Sequence, residues 1–393
     1  MPDRRHSSSI RRNLLLFKIS SFFDWWPVGA VMIIYFESIT QSYATASLVF
    51  SVYMLTQALS EIPVGIISDR WSRKKTMLAC GVFSISFALC LVIAGSMQST
   101  ALLFAGALCW GLAEAFGTGT DEALMYETMK DLKKRGKYDV VFSGVRAWGY
   151  AGAAASTIAA VPLYYFFGLG SLAIASIVPA AAQFITYLFY TEPKSYRPSG
   201  ANSLKHIIAA LKNFKRDKIR ALAAAQTMNY SWNETQYRIN SAYYGLFMPT
   251  WAVNIVVFVY HMLTSFGFYI AIRLRRIGLL KMALASNVFK SITTAAGLVL
   301  NNSASPFVLT SAALGTGGEH SAESALLQRE FSDHQRATMR SIVAIFGGVL
   351  SALAFWFFGL LADVYSVYAA LVGLLVYKVI ISLYYWWLMR KYR

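Results

Sequence analysis

The amino-acid sequence predicts an all-α membrane protein, with twelve transmembrane helices in two pseudo-symmetric six-helix halves. Three observations predict it. Runs of about 20 largely apolar residues recur along the chain, Lys and Arg crowd every second connection between them, and one long polar segment lies midway. The 393 residues are 56% hydrophobic and 15% aromatic, with a mean hydropathy of +0.47. That is more apolar surface than a water-soluble core of this size hides.

The apolar runs fall at 14–36, 45–67, 76–96, 101–125, 140–167, 170–190, 220–241, 251–272, 279–300, 305–328, 340–362 and 367–389. Arg4, Arg5, Arg11, Arg12 and Lys18 stand at the first. Arg70, Arg73, Lys74 and Lys75 follow the second, and Lys130 to Lys137 the fourth. The segment from Lys194 to Arg220 follows the sixth. Arg273 to Lys281, then Arg329 to Arg340, and finally Arg390 to Arg393 follow the eighth, tenth and twelfth. The intervening loops near Ser42, Ser99, Gly168, Phe247, Asn302 and Tyr365 carry no Lys or Arg. By the positive-inside rule both termini are cytoplasmic. The net charge of +17 therefore reads as topology and attraction to anionic headgroups rather than nucleic-acid binding. Cys80, Cys90 and Cys109 lie inside spans with no pairing or metal spacing and read as packing residues. The first span contains Asp24 and lacks a small-residue cleavage site, so it reads as a retained helix rather than a signal peptide.

The polar segment divides the chain into a half over 1–191, a cytoplasmic linker over 192–219 and a half over 220–393. Within the linker, Leu204, Ile207, Ile208 and Leu211 share one helical face beside Lys205 and Lys212, which suits a helix lying on the membrane surface. The halves echo each other. Asp121-Glu122-Ala123-Leu124 ends span 4 as Glu323-Ser324-Ala325-Leu326 ends span 10, and spans 2 and 8 are both followed by basic turns. Duplication of this kind suits transporters whose site lies between repeats.

The run from Glu61 to Lys75 carries Gly65, Asp69, Arg70, Arg73 and Lys74. It resembles the G-x-x-x-D-R-x-G-R-K signature of the major facilitator superfamily, with Ser72 in place of the second glycine. Gly65 is expected to allow close helix approach, Asp69 to cap a neighbouring helix, and the arginines to reach carboxylates at inner helix ends. With Asp121, Glu127 and Arg146, this set is expected to form a cytoplasmic gate. Runs at Gly117–Glu127 and Gln328–Thr338 resemble a prokaryotic group of facilitators of mostly unassigned substrate, which implies a bacterial or archaeal cell membrane. Two features of drug antiporters are missing. Ala107 stands four residues before Gly111 where those proteins carry Arg, and Pro162 has no adjacent glycine.

Ionisable groups inside a bilayer mark functional candidates. Glu114 and Glu319 fall near mid-membrane, and Glu319, His320 and Glu323 form a cluster suited to proton or ion coupling. Hydrogen-bonded helix packing is the competing reading. Asp24, His261, Lys290 and Lys378 are weaker candidates. In span 7, Asn229, Trp232, Asn233, Gln236 and Asn240 repeat at helical spacing, a polar stripe that lipid excludes. Its first four residues are the expected substrate face, for a neutral or cationic amphipathic solute.

Catalytic motifs and a nucleotide-binding loop are missing from the sequence, which argues against an enzyme or an ATP-driven pump and implies no cofactor or metal. The reading is a secondary active transporter, monomeric and proton-coupled, moving a small solute by alternating access, with export among its directions. A non-transporting sensor or lipid scramblase on the same fold is the alternative.

Overall fold

The computed structural model describes residues 2–194, 216–330 and 336–392. The amphipathic linker stretch and the Phe331–Gln335 part of the second resembling run lie outside them, as do the side chains of Asp69, Gln328, Arg336 and Arg340. The described chain folds into two compact units. One comprises the described residues among 1–29 and 55–201, the other those among 30–54 and 202–393.

In the first unit, α1 (Pro2–Phe22), the end of α3 (Tyr43–Arg70), α4 (Arg73–Met97), α5 (Thr100–Gly117) and α6 (Thr120–Asp131) pack with α7 (Tyr138–Phe167), α8 (Leu169–Ala175) and α9 (Ile177–Leu188). Side chains from six helices meet at Phe17, Met77, Cys80, Phe116, Leu124, Val145 and Tyr187. Ser72 starts α4 by accepting from Lys75 N at 3.2 Å, so the serine in the glycine-signature position serves as an N-cap. Where α1 crosses α7, Cβ atoms at Gly149 and Gly152 would lie 2.7 Å from Ser21 Oγ and 1.9 Å from the Phe22 carbonyl oxygen. Helices in lipid gain their association from such close backbone approach, since lipid tails are as apolar as leucine.

The second unit holds α2 (Met32–Thr40), the start of α3, α10 (Asp217–Tyr244), α11 (Thr250–Leu274), α12 (Leu279–Leu300), α13 (Ser305–Ser311), α14 (Leu314–Gln328), α15 (Arg336–Val364) and α16 (Val367–Lys391). Helix α10 packs on α15 and α16, and α14 sits against α11 and α12. The Asp363 carboxylate at the end of α15 accepts from Ser42 Oγ (2.6 Å), Tyr43 N (2.7 Å) and Ala44 N (3.0 Å). It thereby caps α3, where the helix dipole favours a negative charge.

Eight helical stretches among the described residues are long and apolar enough to cross a membrane. The other four predicted spans are also helical, and each falls short for a visible reason. Span 1 breaks between α1 and the 3-10 turn Gly29–Val31, at the segment holding Asp24 and Pro27. Span 5 is rich in Gly, Tyr, Ser, Thr and Pro, span 7 carries the amide stripe, and span 10 is divided into α13 and α14 and carries Glu319, His320 and Glu323. Span 4 bends too: α5 ends at Gly117, and Gly119, with φ +76°, opens α6 in a conformation glycine adopts freely.

Among the described residues, a Cβ at Gly65, where close approach was expected, would meet nothing within 4 Å, and Gly65 is exposed on α3. Gly152→Ala should therefore destabilise the purified protein by about 1–3 kcal/mol through overpacking, whereas Gly65→Ala should be neutral within about 0.5 kcal/mol. Thermal unfolding in detergent reads both, and equal melting of Gly152→Ala and parent would contradict the packing described.

Candidate functional site

On α10, Asn229 and Asn233 lie one turn apart on one face, and Glu319 and Glu323 lie one turn apart on α14. The pairs meet to form two rungs. In the first, Asn233 Nδ2 donates to Glu319 Oε1 at 2.6 Å, and Asn233 Oδ1 accepts from Lys290 Nζ of α12 at 2.8 Å. Lys290 Nζ also pairs with Glu319 Oε2 at 2.6 Å. In the second, Asn229 donates its amide to Glu323 Oε1 and accepts from Lys378 Nζ of α16 at 2.8 Å. Tyr385 OH donates to the same Glu323 oxygen at 2.6 Å. Lys378 Nζ, 3.2 Å from Glu319 Oε2, joins the rungs.

Trp232 lies between the two asparagines. Its indole N–H donates to the Leu374 carbonyl at 2.8 Å, and its ring centroid lies 4.0 Å from Lys378 Nζ and 5.5 Å from Lys290 Nζ. The face of an aromatic ring attracts a cation, most strongly away from water.

Burial makes the pairing obligatory. Lys378 is 0% exposed, Lys290 and Glu319 1%, and Glu323 7%. An unpaired ion in such surroundings loses several kcal/mol of solvation. Two ammonium groups and two carboxylates balance when all are ionised. Their partners differ, however. Glu319 holds both lysines, while the donors to Glu323 are a phenol and an amide, both neutral.

One turn further along α10, Trp232, Asn233, Gln236, Tyr237 and Asn240 line a small pocket. Tyr260 of α11, Lys290 of α12 and Leu309, Ala312, Ala313 and Thr316 complete it. Gln236 Nε2 donates to Thr294 Oγ1 at 3.3 Å. The expected substrate face thus divides between two tasks. Asn229 is buried in the ionic network, Gln236 lines the pocket, and Trp232 and Asn233 belong to both.

Of the expected coupling residues, Glu319 and Glu323 meet in the rungs. His320, the next residue on α14, turns to another face, where it is exposed and edge-on to Phe268 at 6.2 Å. Glu114 belongs to the first unit, on α5, three residues before the break at Gly117.

The expected gate residues lie in the first unit. Arg73 pairs with Glu127 at 3.3 Å and donates to Ser68 Oγ at 2.9 Å, and Ser68 meets Thr120 at 3.1 Å. Arg146 pairs with Glu122 at 3.3 Å. Arg70 is exposed. Asp121 Oδ1 is buried and has no hydrogen-bond partner among the described residues. Asp24 accepts from Gln183 Nε2 at 3.0 Å.

Sequence reasoning missed or underrated four partners. Glu192, read only as the start of the linker, accepts from Arg73 N (2.8 Å) and Lys74 N (2.9 Å) and caps α4 with a carboxylate. Lys290 and Lys378 ranked as weak candidates, yet each stands near the middle of its span. A lysine at that depth requires an acid on a facing helix, and Glu319 was available. Tyr385, which the sequence analysis did not single out, is a buried donor to Glu323.

The charge balance has a measurable consequence for stability. Glu319→Gln should destabilise the protein by about 3–5 kcal/mol by leaving two buried lysines short of a counter-charge. Adding Lys378→Met should restore much of that loss. Melting temperatures of the two single variants and the double variant test this, and purely additive effects would show that the charges do not act as one network.

Comparison with known proteins agrees with this architecture. The pattern of the Major Facilitator Superfamily matches residues 14–274. No curated protein sequence matches the chain. The fold is similar to that of the nucleoside transporter NupG (TM-score 0.75, 16% identity, 96% of this chain and 98% of that one). It is also similar to a bacterial homologue of the human lysosomal transporter Spinster, solved in an inward-facing and unoccupied conformation (TM-score 0.76, 14% identity, 98% and 97%). An auto-inhibited POT family peptide transporter shares it as well (TM-score 0.76, 12% identity, 99% and 97%). With the family pattern matched over most of its length and the fold shared with solved transporters, the chain belongs to the Major Facilitator Superfamily.

Proposed function

We propose that this protein is a secondary active transporter that moves a small organic solute by alternating access, coupled to protons at Glu319 and Glu323. The paired rungs are the observation that carries the reading. Two carboxylates one turn apart share one network, and the partners of Glu323 allow it to accept a proton without separating the Lys290–Glu319–Lys378 ion pairs. Asn233 and Lys290 belong both to that network and to the pocket. A solute arriving there therefore meets groups that already hold Glu319, which is the physical link coupling requires. The neighbours' stated substrates, nucleosides and peptides, are small organic solutes of this general kind.

The basic loops support a cell-membrane protein with both termini cytoplasmic. On that orientation the Arg73–Glu127 and Arg146–Glu122 pairs form a cytoplasmic gate, with Asp121 on the same helix as Glu122 and Glu127. The six-helix halves then act as rocking bodies joined by the linker. Gradients on the two sides decide whether the cycle runs as uptake or export.

Proteoliposomes tested with nucleosides, dipeptides and hexoses should show accumulation that requires a pH gradient and collapses with a protonophore. Glu323→Gln and Glu319→Gln should lose accumulation while retaining solute exchange, because exchange needs binding and rocking but no net proton movement. Accumulation preserved in both variants would remove the coupling assignment. Asp69→Asn should slow transport sharply with insertion intact, and a parental rate in that variant would remove the gate assignment.

A further inference from the structure

We infer that Cys90 and Cys109 form a paired-thiol site on the lipid side of the α4–α5 hairpin, and that this site binds trivalent organoarsenic compounds. It is independent of the transport reading. Helices α4 and α5 pack on each other and are joined by the short turn at Gln98–Ser99. At 1.5 Å per residue, Cys90 and Cys109 lie about 10 and 14 Å from the helix ends at Met97 and Thr100, side by side within the hydrocarbon.

Packing brings the thiols together. Gly106 lies one turn before Cys109 on the same face of α5. A Cβ there would stand 3.1 Å from Cys90 Cβ and 3.2 Å from Phe87 Cδ2, so Cys90 reaches α5 through the gap that glycine leaves. Phe87 stacks on Trp110, the residue after Cys109, with centroids 4.9 Å apart and planes 7° from parallel. The two thiols come within hydrogen-bonding reach of each other. Both are free and half-buried, whereas Cys80 is buried. Leu89, Ile93 and Leu108 beside them are 45%, 43% and 49% exposed. On helices apolar enough to cross a membrane such side chains face lipid, so the sulfurs are reached from the hydrocarbon.

Charge balance selects the ligand. Two thiols that bind a soft centre give up two protons. A monovalent ion such as Cu(I), which thiolates favour, would leave a net negative charge among leucine, isoleucine and aromatic side chains, where its solvation is lost. Zinc closes its structural sites with four ligands, and among the described residues no group of three His, Cys, Asp or Glu side chains could hold a metal. An arylarsenic(III) oxide meets both conditions. The arsenic keeps its aryl carbon, gives up its oxygen and forms two As–S bonds, and both thiol protons leave with that oxygen as one water. Arsenic stays trivalent, neither sulfur is oxidised, and the product carries no charge. A disulfide between the same sulfurs would instead need an oxidant.

Reduced full-length protein in proteoliposomes should be treated with phenylarsine oxide, washed with a monothiol and measured intact by mass spectrometry. One phenylarsenic group per chain should survive the monothiol, because the second As–S bond forms within one molecule, and should leave with the dithiol 2,3-dimercaptopropanol. Cys90→Ser and Cys109→Ser should each lower that retention by roughly a hundredfold, while Cys80→Ser should keep it. Cys90→Ala and Cys109→Ala replace the serine variants if melting temperatures show that serine disturbs the helices. A sulfonated, membrane-impermeant maleimide should leave both thiols unmodified in the same vesicles. No retained adduct on the parent, or parental retention in either single variant, would overturn the inference. So would a loss of two hydrogens with no arsenic gained, which marks a direct disulfide. Maleimide on either thiol would overturn the lipid-side access.

Discussion

A charge removed from water must find its counter-charge, and the second unit is organised around that constraint. Lys290, Lys378, Glu319 and Glu323 come from three helices and are all nearly or fully buried. A fourth helix, α10, supplies the asparagines that each hold one lysine and one glutamate. The register of all four helices is thereby specified. A slip of one residue along any of them turns a charged group by about 100° toward lipid or an apolar neighbour. A network of this kind serves as a specificity device, and its net stabilisation is small beside the penalty for breaking it.

Helix ends in both units use the same physics at smaller scale. Glu192 presents its two carboxylate oxygens to the first amides of α4, and Asp363 presents its own to the first amides of α3. In each case a residue distant in sequence satisfies backbone donors that the helix itself cannot. Such caps fix helix ends laterally, where lipid supplies no hydrophobic drive for one helix to hold another. Close backbone crossings at Gly152 in the first unit and Gly267 and Gly317 in the second do the corresponding work along the helix lengths.

The polar stripe on α10 illustrates why a single reading, cavity or packing, does not describe it. Toward the start of the helix the stripe is packing: Asn229 is fully buried between Lys378 and Glu323. Toward its end it borders a small cavity, which Gln236 and Asn240 line. Asn233 stands at the junction and bonds to the ionic network while lining the pocket.

Apolar run length and the sidedness of Lys and Arg are local, one-dimensional signals, and from them the sequence by itself determined the helical membrane class, most helix positions and the family motif at Gly65–Lys74. The same signals brought out Glu319, Glu323 and the amide stripe, because polar groups inside apolar runs stand out without any structure. Tertiary structure alone decided the partners. Lys290 and Asn233 are 57 residues apart, Lys378 and Asn229 are 149 apart, and Glu192 caps a helix that starts 119 residues earlier. Periodicity says which face of a helix is polar but not which helix it meets, so the separation of Glu319 from His320 and the ion pairs of Lys290 and Lys378 with Glu319 were settled by packing. The helix breaks at Asp24–Pro27 and Gly117–Gly119 stayed hidden for a related reason. The apolar runs resume beyond Asp24–Pro27 and extend through Gly117–Gly119 toward Met125, so run length alone does not mark a break, and the neighbours a helix packs against decide whether it bends.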